Sequence, residues 1–516
     1  MLRLFALLLL LLSLPCSAAQ GVWVESIRLQ GFIAHPAQGI TQNDLLDHID
    51  RWRLAYKPIM QLSELDEIVH QINNYYIDHG FTFVRAYLPE QKVQRGVVTI
   101  GIREDVLSEV VFRQDADAVV GTYKHTFKRM VGRPVYKPAI EEALLLLNDN
   151  PAYTAFAFFS KGNGDNESRL NINVQEADAI TARIGADNYG SKATGENRIW
   201  LHTGWSNPFN SGHQIRLALT AAQTDQNNLF GTLSYDIPLS ARWLQQLSWS
   251  HQQYTLGQDL ESLEIHGESD VYSLSWTYKP LRSMALTHQH SFTLAARSSQ
   301  LQSDVIIGLF DQQESSYAAG WSWSRSAYNL EDGDHLATTL GLDAIHVPAA
   351  DGSNEPTRTL GKFSIGLQQG FTLGRHLPWL RSVLINRLNI QASQHPLPGI
   401  DKLPLSGPYG VRAMPANSLN VDDGAIWQME LVYRNTALLG RLEPFLFFDA
   451  AAGDRYAGVQ DKVSGYFAGG GLGLKATLWH GLSFNLTAGN ATAAKLEDSD
   501  LEKPATVFGQ LSYTWE

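Results

Sequence analysis

From Ile180 to the end of the chain, apolar and polar residues alternate in short runs. Val271 to Lys279 is representative: Tyr272, Leu274, Trp276 and Tyr278 fall on one side, and Ser273, Ser275, Thr277 and Lys279 on the other. A period of two is the signature of a strand whose two faces meet different surroundings. The runs are about ten residues long, the length a tilted strand needs to cross a bilayer, and Gly, Asn, Asp and Pro separate them. About sixteen such segments can be placed, an even number as bacterial outer-membrane barrels require. The first is Ile180 to Tyr189, the eleventh Val383 to Ala392 and the twelfth Ala425 to Arg434. The thirteenth ends at Asp449, the fourteenth is Tyr466 to Leu478, the fifteenth Leu482 to Gly489 and the last Val507 to Glu516. A soluble sandwich would also alternate. Aromatic residues near strand ends and mixed-sign polar residues on the hidden face favour an all-β transmembrane barrel over residues 178–516.

Ahead of the barrel the pattern is different. Residues 22–104 read β-α-α-β-β: a strand from Trp23 to Leu29, a helix opened by Thr41-Gln42-Asn43-Asp44, and a second helix from Ser63 with Leu65, Ile68, Val69, Ile72 and Tyr76 on one stripe. Gly80 ends that helix, and strands follow at Phe81 to Leu88 and Val97 to Arg103. Residues 105–177 repeat the theme. A strand at Leu107 to Phe112 leads to helices at Val119 to Val131 and Ile140 to Leu147, then a hairpin of Tyr153 to Phe159 and Leu170 to Glu176. The hairpin connection, Lys161 to Asn166, lacks the carboxylate spacing of a calcium loop and reads as turn chemistry. Both segments are expected to be small α+β domains.

Residues 1–19 read as a secretory signal: Arg3, an apolar run from Leu4 to Leu14, and small residues at Ser17 to Ala19. Cys16 is the single cysteine and is expected to leave with that signal, so no disulfide or thiol chemistry follows. No later stretch of about 18 apolar residues offers a membrane helix. A formal net charge of −12 argues against nucleic acid as a partner. No cofactor or metal site is expected. Gly469 to Gly473 lacks a phosphate-loop Lys-Ser/Thr and reads as close packing within a strand. His288 and His290 share one strand with no third ligand in reach, and no Gly-x-Ser-x-Gly elbow occurs. The chain is therefore expected not to be an enzyme.

The long loop 395–423 carries the charge that matters. In the thirteenth strand Glu443, Phe445, Phe447 and Asp449 share one face, while Leu446 and Phe448 take the other. If the latter meet lipid, Asp449 points into the lumen. A carboxylate there needs a cationic partner, because an unpaired buried charge costs several kcal/mol. Arg412, at the tip sequence Val411-Arg412-Ala413-Met414, is the candidate, which would pin the loop inside the barrel. The alternative partner for Asp449 is Lys475, inward-facing on the fourteenth strand.

Several motifs resemble one family. Tyr75-Tyr76 with Gly80-Phe81, Leu88-Pro89-Glu90-Gln91 and Gly96-Val97-Val98 resemble the first POTRA domain of the two-partner secretion transporters, the TpsB family of FhaC-, ShlB- and HecB-like hemolysin secretion and activation proteins. Gly132 to Tyr136 and Leu144 to Asp149 resemble their second POTRA domain. Ser206-Asn207-Pro208-Phe209 and Ser234-Tyr235-Asp236-Ile237-Pro238 resemble early barrel-strand motifs. Val411-Arg412-Ala413-Met414 stands where the family has Val-Arg-Gly-aromatic, and Phe447-Phe448-Asp449-Ala450-Ala451 where it has Phe-x-Asp-x-Gly. Ala413, Met414 and Ala451 depart from the pattern.

The resemblance implies a monomeric transporter with its barrel in outer-membrane lipid and two POTRA domains in the periplasm. Its partners would be a large exoprotein with an N-terminal secretion domain and, during biogenesis, periplasmic chaperones and the barrel-insertion machinery. Some family members carry a plug helix before the first POTRA domain. Only a few residues precede Trp23 after the expected cleavage, so that helix is expected to be absent. The rival readings are a barrel-assembly or translocation factor of the wider POTRA-barrel superfamily and a passive outer-membrane channel.

Overall fold

The structure, a computed structural model, describes residues 21–114, 121–222, 228–305, 312–349, 356–375, 382–434, 442–456, 462–478, 481–497 and 499–515. The signal segment, Cys16 and Glu516 lie outside the described residues. The chain divides into two compact units. One holds most of the N-terminal α+β structure, and the other comprises the barrel together with residues 114–126 and 142–156.

In the first α+β module, Ser26–Gln30 runs parallel to Val97–Glu104, which pairs antiparallel with Val84–Tyr87. Helices Gln42–Arg53 and Leu62–Asp78 bury Leu45, Ile49, Leu65, Ile68 and Ile72 against that sheet's Val98, Ile100 and Ile102. The Thr41 hydroxyl caps the first helix on Asp44 N, and Gly80 ends the second at φ +90, a left-handed conformation that glycine takes without Cβ strain. The strand expected over Trp23 to Leu29 is divided. Val22–Trp23 pairs with Ile59–Met60, and only Ser26–Gln30 joins the sheet, because Glu25 N and Ser26 N both turn to Gly96 O. Gln91 of the Leu-Pro-Glu-Gln motif bonds both backbone groups of Thr99, which fixes the loop against the central strand. The following strands, Val106–Gln114, Glu167–Glu176 and Tyr153–Lys161, form a second three-stranded sheet in that order. Helices Gly121–Lys128 and Lys137–Asn148 accompany it. The expected helix start at Val119 lies outside the described residues.

Residues 180–515 form a closed antiparallel barrel of sixteen strands, plus a two-residue strand, Ser499–Asp500. Strand 1 is Ile180–Asp187. It closes the ring on strand 16, Thr506–Trp515, through pairs running from Gln510↔Asp187 to Trp515↔Ala182. Strands 4 to 9 are Asn228–Pro238, Trp243–Thr255, Ile265–Arg282, Leu286–Ser303, Gln312–Tyr328 and His335–Val347. Strands 11 to 15 are Ser382–Ser393, Asp423–Tyr433, Leu442–Tyr456, Lys462–Thr477 and Leu482–Leu496. Strand 13 therefore continues seven residues past Asp449, and strand 15 seven past Gly489. Both extensions are rich in Ala, which carries no hydropathy alternation, and both pair along strand 14 beyond the expected ends. Outward Trp249, Tyr272, Leu294, Tyr317 and Leu342 are exposed, as lipid-facing positions are. Odd strands all run in the same sense as strand 1, so the loop after strand 11 leaves the barrel at the end opposite the one where strand 1 begins.

The loop inside the barrel

The loop between strands 11 and 12 folds back into the lumen on its own apolar underside. Leu403–Pro404 pairs with Asn420–Val421 to close its neck. At the tip Gly407, at φ +89, donates its N–H to Val411 O, and Met414 N closes a second turn on the same carbonyl. Leu405, Val411, Ala413, Met414 and Leu419 are buried against Ile426, Ala451, Phe467, Ala491 and Ala494 of strands 12 to 15. Burial of this cluster supplies a hydrophobic contribution that is independent of charge.

The tip fits because the wall opposite is stripped of side chains. A Cβ at Gly469 would lie 2.4 Å from the Cβ of Ala413, and one at Gly489 2.8 Å from the ring of Phe447. One at Gly473 would lie 2.1 Å from the ring of Phe445. Gly469 and Gly473 of strand 14 and Gly489 of strand 15 are thus a floor for the loop and for two inward phenylalanines.

Arg412 is 7% exposed, Asp449 0% and Glu430 3%. The guanidinium meets Asp449 side-on: Nε donates to Oδ2 at 2.8 Å and Nη2 to Oδ1 at 2.7 Å, while the backbone N of Arg412 adds a third bond to Oδ2 at 3.0 Å. Its Nη1 donates to Glu430 Oε1, and its Cζ lies 4.3 Å from the centre of the Phe447 ring. Such a bidentate, stacked arrangement uses the planar fork that lysine lacks. The loop backbone is also held from the wall. Gln428 donates to Gly410 O at 2.8 Å, and Thr506 to Arg412 O at 2.7 Å.

Lys475 does not reach Asp449. It donates to Glu430 Oε2 at 2.7 Å and lies over the Phe445 ring. Face parity alone permitted the Lys475 alternative, but the register separates the two: Lys475 stands opposite Glu443, whereas Asp449 stands opposite Gly469. Glu430 is the residue that sequence reasoning passed over. It faces inward on strand 12 and is the hub that joins Arg412, Lys475 and, at 3.4 Å, Arg387. The two carboxylates share Arg412, and Glu430 has two further cations, so the buried cluster leaves neither carboxylate without a counter-charge. A second set of contacts holds the loop near its base. Asp401 accepts from Arg297 and, at 3.0 Å, from Lys362. Asp422 accepts from the backbone N–H groups of Leu397 and Tyr456, both at 2.7 Å.

Alpha-plus-beta modules ahead of a sixteen-stranded barrel with a loop folded into its lumen define a POTRA-bearing outer-membrane transporter. The family model "Haemolysin secretion/activation protein ShlB/FhaC/HecB" matches residues 166–476, and "POTRA domain, ShlB-type" matches residues 39–105. The chain belongs to this haemolysin secretion/activation family, the two-partner secretion transporters of the outer membrane. It is 24% identical over 450 residues to the heme/hemopexin transporter protein HuxB of Haemophilus influenzae, covering 80% of this chain and 75% of that one. It is 23% identical over 511 residues to the hemolysin transporter protein ShlB of Serratia marcescens, covering 93% and 85%. In fold it is similar to CdiB from Escherichia coli, with a TM-score of 0.75 and 18% identity over 98% of this chain and 92% of that one. BamA from Haemophilus ducreyi, lacking POTRA domains 1–3, shares the fold more distantly, with a TM-score of 0.54 and 13% identity over 95% and 100%. The likeness to solved structures gives the fold, and the family match assigns this chain to the transporters.

Proposed function

We propose that residues 22–104 and 105–177 act as two POTRA domains that capture an unfolded partner exoprotein, and that the chain moves it through the barrel without any enzymatic step. Exposed strand edges in such domains can accept an extended chain by adding a strand, which gives affinity through main-chain hydrogen bonds. Folding of the client on the far side would draw it forward by removing the species able to slip back. Arg412 and Asp449, with Glu430, form the lock that keeps the lumen loop seated at rest. Val411, Ala413 and Met414 are its apolar footing, and Phe447 is its stacking surface.

One observation carries this reading. Arg412 is the only loop side chain that spends its guanidinium on two buried carboxylates of the wall, among the described residues. The wall of strands 4 to 7 is a contrast that suggests the path. Its inward side chains include the hydroxyl pairs Thr232–Ser250, Ser248–Ser273 and Thr277–Ser291, which offer a passing chain hydrogen bonds of either sense, while the charges on the same wall, Asp236 and Arg297, are already paired with Arg216 and Asp401.

The test is secretion of the partner exoprotein, co-expressed with the full-length protein in the outer membrane. Arg412→Ala and Asp449→Ala are expected to abolish most secretion while the barrel still inserts. Normal secretion by both variants would refute the lock.

A further inference from the structure

The outer surface of strands 4 to 9 carries a feature that transport does not use. Cross-strand register aligns its lipid-facing side chains in rows. One row runs Trp249, Tyr272, Ala296, Tyr317 and His346 across strands 5 to 9. The next row toward the periplasm runs Leu274, Leu294, Ala319 and Ala344. Small residues at 296, 319 and 344 therefore interrupt a wall of bulky ones, and the resulting apolar groove encloses about 860 Å³. The row toward the outside is polar: His251, Asp270, Ser298 and Ser315. Trp249 and Tyr272 thus sit at the outer edge of the apolar band, where aromatic side chains concentrate.

At that edge His251 Nδ1 lies 3.1 Å from Asp270 Oδ1 and 3.9 Å from Glu268 Oε1. One ligand atom from each of the three can be chosen so that all lie within 4.8 Å of one another. Trp249, which lines the groove, donates its indole N–H to Asp270 Oδ1 at 2.8 Å and so ties the apolar and polar parts together. Two carboxylates face a single imidazole here, and no Lys or Arg contact to either carboxylate is found among the described residues. Uncompensated negative charge beside hydrocarbon is costly, and hard divalent cations are bound by carboxylates with remaining positions left to other oxygens.

We propose that His251, Glu268 and Asp270 hold a divalent cation that bridges to the phosphate of an outer-leaflet glycolipid, one of whose acyl chains lies in the groove over Ala296, Ala319 and Ala344. The acidic rim would repel a phosphate directly, so the cation is what makes the head group and the groove compatible. The groove lies in the membrane-facing wall of an outer-membrane protein, where acyl chains are the available occupant.

Full-length protein freed of metal and lipid in detergent is titrated with Mn²⁺ and followed by electron paramagnetic resonance. The unsubstituted chain is expected to bind one ion, and Glu268→Gln combined with Asp270→Asn to weaken that binding at least about tenfold. Native mass spectrometry of protein extracted from outer membranes is then expected to show a phosphorylated glycolipid that EDTA releases. Ala319→Trp, which fills the groove, should lose the lipid and keep the Mn²⁺ affinity. Equal Mn²⁺ affinity in the charge variant would overturn the site. A lipid that survives EDTA, or inorganic phosphate binding the Mn²⁺-loaded protein as tightly as the glycolipid does, would overturn the bridge.

Discussion

Two parts of the same lumen wall are built on opposite principles. Along strands 12 to 15 the inner face combines Gly and Ala with buried charges, and the loop is seated there by shape and by ion pairing together. Along strands 4 to 7 the inner face is lined mainly with hydroxyl pairs that bond across the strands, and its charges are few and already paired: Asp236 with Arg216, and Arg297 with Asp401 at the base of the loop. Both satisfy the same alternation. The difference shows that the period of two fixes which face a residue takes, while side-chain size and charge decide whether that face holds a partner or lets one slide.

The largest effect is expected where the gripping wall loses a charge. Arg412→Ala strands the buried Asp449 carboxylate, Glu430 keeping Lys475 and Arg387, and should cost about 3–5 kcal/mol of loop seating, while barrel stability, read from heat-modified gel mobility, changes little. The next test puts bulk on the floor. Gly469→Val places a side chain into the space of Ala413 and should cost about 1–3 kcal/mol by overpacking. Adding Ala413→Gly should recover part, and only part, of the lost secretion, because a side chain at 469 also meets the strand 15 backbone at Asn490 O and Ala491 Cα; full secretion by Gly469→Val alone would show that the floor does not hold the loop.

Glu430→Gln keeps the shape but removes a charge that Arg412, Lys475 and Arg387 share. A loss smaller than that of Asp449→Ala is expected in the same secretion assay, since Asp449 still binds the guanidinium in bidentate fashion. The smallest effect on loop seating is expected on the other wall. Ser273→Arg should leave the loop in place yet slow secretion, because it introduces an unpaired positive charge among the hydroxyl pairs. An unseated loop in that variant would erase the distinction between the walls.

Much of this was legible in the residues. Sixteen strands follow from alternation and turn chemistry, and their count survives because each missing turn would leave a run far longer than the membrane requires. The lengths of strands 13 and 15 were not legible, since Ala450 to Gly453 and Ala488 to Ala494 have too little hydropathy contrast to show a period. Parity together with the cost of a buried carboxylate singled out Arg412 and Asp449. It could not rank Lys475, because parity gives the face and not the rung, and the rung puts Lys475 opposite Glu443. The hub role of Glu430 and the grouping of His251 with Glu268 and Asp270 depend on register between strands, which no spacing along the chain encodes. Ala413, a departure from the family's glycine, is explained across the lumen: Gly469 supplies the space its methyl group needs.

The most direct test of the lock is the accessibility of the loop's footing. With Met414→Cys as reporter, buried in the seated loop, labelling by a membrane-impermeant maleimide added outside the cell is followed in the background of Arg412→Ala, Asp449→Ala and both. Labelling is predicted to be slow in the parent and faster by the same factor in each single variant, with no further gain in the double variant, as for two halves of one contact. Unchanged labelling in the single variants, or multiplied rates in the double, would contradict the account.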